Sequence, residues 1–300
     1  MKELKILGVV IVFTLTLYWG VEPFAHSQMH KHVEGNGFTY SDFKPVPKGN
    51  VQKGETLAAS CAGCHSVKVK NIPAPMDPVM SAQAYGVNPP DLSLAGKVLD
   101  EKFFTHFLLN PEKVTKDRHF TMPPSADNIQ DAADIVAYFK SIAPKESTPK
   151  EVYEFACGRC HANRYGKWTQ IGDVPKTKSN IKTGVDLAAL DFEKKLGEYQ
   201  NKLADHMGKL PPDLSIIIRA RSKHFLETFI EDPQLQLPGT IMPKLGLKKE
   251  AVEEVFAYLE ETGDPSKPKR EAVGSWVLLF FFAFTVLAYL WKKSMWRDCH

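Results

Sequence analysis

Four of the five cysteines stand in two identical arrangements, in each of which two cysteines separated by two residues are followed directly by a histidine. Two thiols three positions apart on one helical turn reach the two vinyl groups of a single porphyrin, and the next imidazole faces its iron. The spacing therefore predicts two sites of covalent haem c attachment. The predicted attachment residues are Cys61, Cys64, Cys157 and Cys160, and the predicted iron ligands are His65 and His161.

Paired cysteines have three other common uses. A thioredoxin-like pair needs a strand–helix–strand context, which the surrounding sequence lacks. A zinc site is disfavoured because a histidine directly after the pair is poorly placed for the same ion. A structural disulfide is compatible with an exported protein, but it does not explain the histidine in both copies. Cys299 lies alone near the C-terminus and is assigned no role.

The second axial ligand of each iron must come from elsewhere in the chain. Met122 and Met242 each precede a proline, and each lies 16 residues before a tyrosine of a closing helix. A loop stiffened by proline can place a thioether over an iron, although each methionine could instead fill core space. We predict Met122 and Met242 as ligands; the alternatives without a repeat partner are Met76, Met80, Met207, His106, His119, His206 and His224. Histidine–methionine ligation fills both axial positions and raises the reduction potential, which favours electron transfer over oxygen or peroxide activation.

The motifs belong to a longer internal repeat. After each histidine comes the run Pro-Pro-Asp-Leu-Ser at 89–93 and 211–215, and the methionine follows the start of that run by 33 and 31 residues. The pattern predicts an all-α chain of two tandem cytochrome c-type haem domains at 51–145 and 146–268. Helices are expected at 51–60, 131–142, 187–203 and 250–261. The longer second copy carries a polar, lysine-rich insert at 176–203, for which we expect a surface excursion.

Both ends of the chain are apolar. Residues 6–21 and 272–291 contain no charge, which predicts an N-terminal transmembrane anchor within 1–25 and a C-terminal transmembrane helix with a cytoplasmic tail in 269–300. A cleaved signal peptide is the alternative at the N-terminus. Residues 26–50 are expected to be an extended lead-in, and 264–269 a loop that joins the second domain to the membrane helix.

The net charge of +3 is carried by the two ends, so the region between them is formally neutral. Basic residues at both tips place both termini in the cytoplasm and the haem domains on the periplasmic side of the inner membrane. The neutral central region also argues against a nucleic acid partner, which would require a clustered basic face.

The stretch 208–221 resembles the signature of cytochrome c1, Gly-Ala-x-Pro-Pro-Asp-Leu-Ser followed by Arg-Ala-Arg, and cytochrome c1 also ends in one membrane helix with a short basic tail. The resemblance implies that Arg219 or Arg221 binds a haem propionate, and the first copy lacks this pair. The whole chain resembles the two-haem c1-type subunit of some bacterial quinol:cytochrome c reductases. That resemblance implies cytochrome b and the Rieske iron–sulfur protein as partners, a periplasmic cytochrome c or terminal oxidase as acceptor, and no catalysis by this chain alone.

Three alternatives remain at this point. The first is the two-haem subunit of a cbb-type oxidase, which would normally lack the C-terminal span. The second is a two-haem peroxidase, which needs an iron that opens to peroxide. The third is a membrane-anchored docking or haem-sensing protein without redox partners.

Overall fold

The structure is a computed structural model that describes residues 2–25, 27–28, 38–116, 121–176 and 186–297, with side chains from residue 4 onwards. Among these residues the chain is mostly helical, as predicted, with one two-residue hairpin in which β1 (Trp168–Thr169) pairs with β2 (Gly172–Asp173). His119 and Cys299 lie outside the described residues. The helices are α1 Lys2–Thr16, α2 Val51–Ala58, α3 Pro78–Tyr85, α4 Ala95–Val98, α5 Glu101–Leu109, α6 Pro111–Thr115, α7 Ile129–Ile142, α8 Pro149–Tyr153, α9 Leu187–Met207, α10 Ile217–Ala220, α11 Lys223–Glu231, α12 Pro233–Gln236, α13 Lys249–Gly263 and α14 Lys267–Met295.

The first half is built on the close crossing of α2 and α7. A Cβ atom on Gly54 would lie 1.9 Å from the carbonyl oxygen of Asp134, so only glycine allows this approach. The Asn50 side chain caps α2 by accepting from the N–H of Lys53. The backbone N–H of Asn50 donates to the buried Asp134 carboxylate at 2.7 Å. The helix ends at Ala58, two residues earlier than predicted, and passes into a 3-10 turn, Ala59–Gly63, that carries the first cysteine.

The second half repeats this arrangement with α8 and α13. Helix α8 begins in a capping box, in which the Thr148 side chain and Glu151 satisfy each other's backbone N–H groups. Buried Tyr153 and Phe256 pack in the core that these two helices share. The closing helix α13 exceeds its predicted bounds by one residue at the start and two at the end.

The two halves are joined by a short, strand-like contact between 98–100 and 246–248. Leu99 and Leu247 form an antiparallel bridge, the N–H of Asp100 donates to the Gly246 carbonyl at 2.8 Å, and the N–H of Lys248 donates to the Val98 carbonyl at 2.9 Å. Val98 belongs to the core cluster of the second half. Because backbone bonds and a shared core cross the boundary, the two repeats pack as one unit.

Our expectation that the insert is a surface excursion is wrong for the end of helix α9. Tyr199, Leu203 and Met207 lie on one stripe of the helix and are buried against Val79 and Ala82 of the first half. The helix continues to Met207, four residues past its predicted end, because this apolar stripe has a partner surface. The end of the insert helix therefore forms a further packing contact between the two halves.

Two terminal helices have the length and composition of membrane spans: Leu4–Ala25, with mean hydropathy 2.0, and Lys267–Met295, with mean hydropathy 2.1. The joining loop expected at 264–269 is shorter in the structure, since α14 begins at Lys267. The Arg270 guanidinium donates to the Asp264 carboxylate through its two terminal nitrogens, Nη1 and Nη2, at 2.6 and 2.7 Å. That ion pair lowers the pKa of Asp264 to about 2 and ties the C-terminal helix to the end of α13.

We predict that Gly54→Ala destabilises the first half by about 1–3 kcal/mol, because the added methyl group overlaps the α7 backbone and forces the helices apart. Thermal unfolding of the haem-loaded protein measures the effect. The matched control is Gly197→Ala in α9, where nothing lies within 4 Å of the new Cβ atom. There we expect a gain of about 0.5–1 kcal/mol from helix propensity, and equal effects of the two variants would contradict the proposed crossing.

Candidate functional site

The two cysteine motifs adopt the same turn. In each, the N–H of the histidine donates to the carbonyl of the first cysteine at 2.9 Å, and the N–H of the second cysteine donates to that carbonyl at 3.1 Å. The four motif cysteines are not joined in disulfides in the described structure. Burial raises the pKa of the Cys61 thiol and raises that of Cys157 to about 12, so these side chains are uncharged sulfurs beside an apolar core.

Each motif histidine is oriented by one carbonyl oxygen. His65 Nδ1 lies 2.8 Å from the carbonyl oxygen of Pro90, and His161 Nδ1 lies 2.7 Å from that of Pro212. A carbonyl only accepts, so Nδ1 carries the proton and Nε2 keeps a free lone pair. Burial lowers the pKa of both imidazoles, which favours the neutral form that binds a metal.

The carbonyl that orients each histidine is itself fixed by the Pro-Pro-Asp-Leu-Ser run. In the second half, Asp213 accepts from the N–H of Ser215 at 2.9 Å and from that of Arg164 at 3.2 Å. In the first half, the Asp91 carboxylate accepts from the backbone N–H of Ser93 at 2.8 Å and from that of Lys68 at 3.4 Å. Sequence reasoning treated the run as a family marker, and its role in orienting the imidazole was missed.

A cavity of about 560 Å³ opens in front of His65. Its first-half lining is mainly apolar and includes both cysteines of the first motif and the predicted ligand Met122. Met122 is half-buried, and the loop that follows it is fixed where the Ser125 N–H donates to the Leu108 carbonyl at 2.8 Å. The structure thus brings all four predicted residues of the first site to one cavity.

The same cavity extends into the second half. Phe155, Arg159 and Cys160 line it on one side, and the loop after Met242 lines it on another. Two of the alternative ligands, His206 and Met207, line it as well. The first motif and the second cysteine of the second motif therefore lie on one continuous space.

Other predicted residues lie away from this cavity lining. Met242 is half-buried, and its carbonyl accepts from the side chain of Gln234. Arg219 and Arg221 are exposed, with the Arg221 guanidinium 5.3 Å from the centre of the Phe225 ring. Their propionate-binding role stays a prediction. His106 stacks on Phe43 with ring centres 5.0 Å apart, which gives it a packing role.

Comparisons with known proteins agree with this geometry. The family model for cytochrome c matches residues 51–143. The ammonia monooxygenase gamma subunit of Nitrosomonas europaea is 30% identical over 207 residues, which cover 53% of this chain and 86% of that protein. The chain belongs to the cytochrome c family.

Cytochrome c1 of Allochromatium vinosum is 23% identical to this cytochrome over 197 residues, 48% of the chain and 80% of the relative. A chain of a solved hyperthermophilic respiratory Complex III aligns with a TM-score of 0.36 and 24% identity, over 51% of this chain and 75% of that one. Membership of the family implies covalently bound haem c.

The residues present fit a haem c group. The first site offers two free thiols, an imidazole with its Nε2 unused, and a mainly apolar cavity that a thioether reaches. In addition, the buried Nε of Arg159 in the cavity lining has no hydrogen-bond partner among the described residues. Within that same part of the chain, no three side chains of His, Cys, Asp or Glu converge as a protein-bound metal ion would require.

We predict that Asp213→Ala lowers the free energy of unfolding by about 2 kcal/mol, because two backbone N–H groups lose a charged acceptor. The Pro212 carbonyl is then free to leave His161, so we also expect an altered absorption spectrum of the oxidised protein. Asp205→Ala is the control, since Asp205 forms only an exposed pair with Lys202 at 3.9 Å. A change no larger than that of the control, within about 0.5 kcal/mol, would contradict the role of Asp213.

Proposed function

We propose that this chain is a membrane-anchored electron carrier with two covalently bound haem c groups, acting as the c1-type subunit of a quinol:cytochrome c oxidoreductase. It receives single electrons from a Rieske iron–sulfur protein and delivers them to a periplasmic cytochrome c or a terminal oxidase. Haem c supplies the one-electron chemistry when bound, through the ferric and ferrous states of its iron. The chain's residues bind, orient and bury that group.

The observation that carries the proposal is that both halves hold the motif histidine in the same way. Both halves use the same turn, the same Nδ1-to-carbonyl bond and the same aspartate-fixed loop, at matching positions. A haem-binding first half whose histidine-orienting hydrogen bonds recur in the second half supports a second haem on Cys157, Cys160 and His161. In this proposal Met122 and Met242 would hold the irons together with His65 and His161, which would leave neither iron open to peroxide.

The shared cavity supports electron transfer between the two groups. Cys160 lines the space in front of His65, so the attachment point of the second group borders the pocket of the first. An electron that enters at either site then reaches the other without crossing a separate protein layer. This arrangement suits a relay within one chain better than two independent carriers.

The membrane arrangement supports a respiratory complex as the setting. The two apolar terminal helices suit anchoring in the inner membrane, with the haem-bearing region on the periplasmic side and both termini cytoplasmic. The likeness to cytochrome c1 points to cytochrome b and the Rieske protein as partners. Quinol oxidation would then take place on the partner subunits, and this chain performs no catalysis alone.

We predict that the purified full-length chain carries two haem c groups, both low-spin in the oxidised form, with two one-electron waves in a redox titration. Met122→His and Met242→His should each lower a different wave, on the order of 0.2 V, because methionine ligation raises the potential. Met80→His is the control, since Met80 is 52% exposed. One haem per chain, or a high-spin iron in the unmodified protein, would contradict the proposal.

The partner assignment is tested by purifying the complex from native membranes through a tag on this chain. We expect cytochrome b and a Rieske protein to co-purify, together with quinol:cytochrome c reductase activity. Recovery of an oxidase instead would support the oxidase-subunit alternative, and peroxide turnover by the isolated chain would support the peroxidase alternative. Either result would overturn the assignment to a c1-type subunit.

A further inference from the structure

One residue of the second motif lies in the pocket of the first. Arg159 stands between the two cysteines at 157 and 160, yet it lines the cavity in front of His65. Its Nε is buried and has no hydrogen-bond partner among the described residues. A buried guanidinium nitrogen without an acceptor is unfavourable, so this geometry requires a further hydrogen-bond acceptor, and the positive charge of Arg159 favours an anionic one.

The cysteine motif itself does not require an arginine at this position. The matching residue of the first motif is Gly63, and nothing lies within 4 Å of the Cβ atom it would carry. Both motifs make the same two backbone hydrogen bonds to the carbonyl of their first cysteine. The arginine is therefore explained by what surrounds the second motif, because Arg159 lies in the pocket of the first motif.

The backbone of Arg159 is fixed against the first half. Tyr199 of α9 is fully buried, and its hydroxyl donates to the Arg159 carbonyl at 2.8 Å while accepting from the N–H of Asn88 at 3.1 Å. One side chain thus joins Arg159 to the segment that leads into the Pro90 carbonyl. The insert helix, which only the second copy has, provides this link.

Among the described residues, no carboxylate forms an ion pair with Arg159. The second half also adds a lysine to the lining, Lys244, but its ammonium group lies 3.8 Å from Asp232 and 5.3 Å from the centre of the Tyr40 ring. Arg159 and His65 line the same cavity, so the guanidinium shares the pocket of the predicted iron ligand.

We propose that Arg159 binds a propionate carboxylate of the haem held by Cys61 and Cys64, so that the second half positions the haem of the first half and raises its reduction potential. Carboxylates are the anions of haem c, and a guanidinium binds them through two parallel hydrogen bonds. A positive charge at this place favours the reduced iron, which carries one positive charge fewer. This inference rests on the proposed function, because it requires haem c at both motifs.

The test is a redox titration of the full-length, two-haem protein in which the wave lowered by Met122→His identifies the first haem. Arg159→Gln should lower that wave by an amount equal to a tenfold change in the reduction equilibrium, 59 mV for one electron. The wave of the second haem should move less. Arg159→Lys keeps the charge but loses the paired hydrogen bonds, so its first-haem wave should lie between those of the unmodified protein and Arg159→Gln.

Lys194→Gln in α9 is the control, because it removes one positive charge from the same half at a position that is 75% exposed and paired with Glu198 at 3.9 Å. It should change the equilibrium less than twofold. If Arg159→Gln binds both haems and its first-haem wave shifts no more than that of the control, the inference is overturned. It is equally overturned if only the second wave moves. A single haem in the unmodified protein would instead contradict the proposed function, so the two failures are distinguishable.

Discussion

In both halves, the placing of the imidazole depends on one hydrogen bond between a histidine ring and a proline carbonyl. A cysteine turn alone leaves the ring free to rotate, whereas an acceptor at Nδ1 fixes both its plane and its tautomer. Everything that supplies this acceptor is then constrained: the aspartate that closes the loop, the serine N–H that it accepts from, and the short spacing between them. The recurrence of this small assembly is the strongest structural argument that both motifs do the same chemistry.

The backbone contact between 98–100 and 246–248, which joins the two halves, is the second constraint on the site. Proline carbonyls place each ring locally, but the cavity in front of His65 is completed by residues ninety or more positions later in the chain. The antiparallel bridge between Leu99 and Leu247 keeps that wall in place. Gly246 takes a left-handed backbone there, with φ of 67°, and a Cβ atom on it would overlap the Phe103 ring. A close packed joint, and not a flexible linker, therefore defines the first pocket.

The sequence predicted the local features well, since each depends on neighbours along the chain. The cysteine turns, the closing helices and the mostly helical class follow from spacing and periodicity, and the helix ends differ from the predicted ones by at most four residues. The missed features are contacts between distant segments. The stripe of Tyr199, Leu203 and Met207, at helical spacing, was a signal that α9 continues and packs, but its partner surface on α3 is visible only in three dimensions.

Two differences between the copies lie where the two halves face each other. Gly63 in one motif corresponds to Arg159 in the other, and the long insert of the second copy supplies the tyrosine that fixes Arg159. A repeat whose copies worked independently would need neither difference, because each pocket would be closed by its own residues. The asymmetry suits the relay proposed above: two haem c groups held in the same way would have different surroundings and would therefore differ in electron affinity.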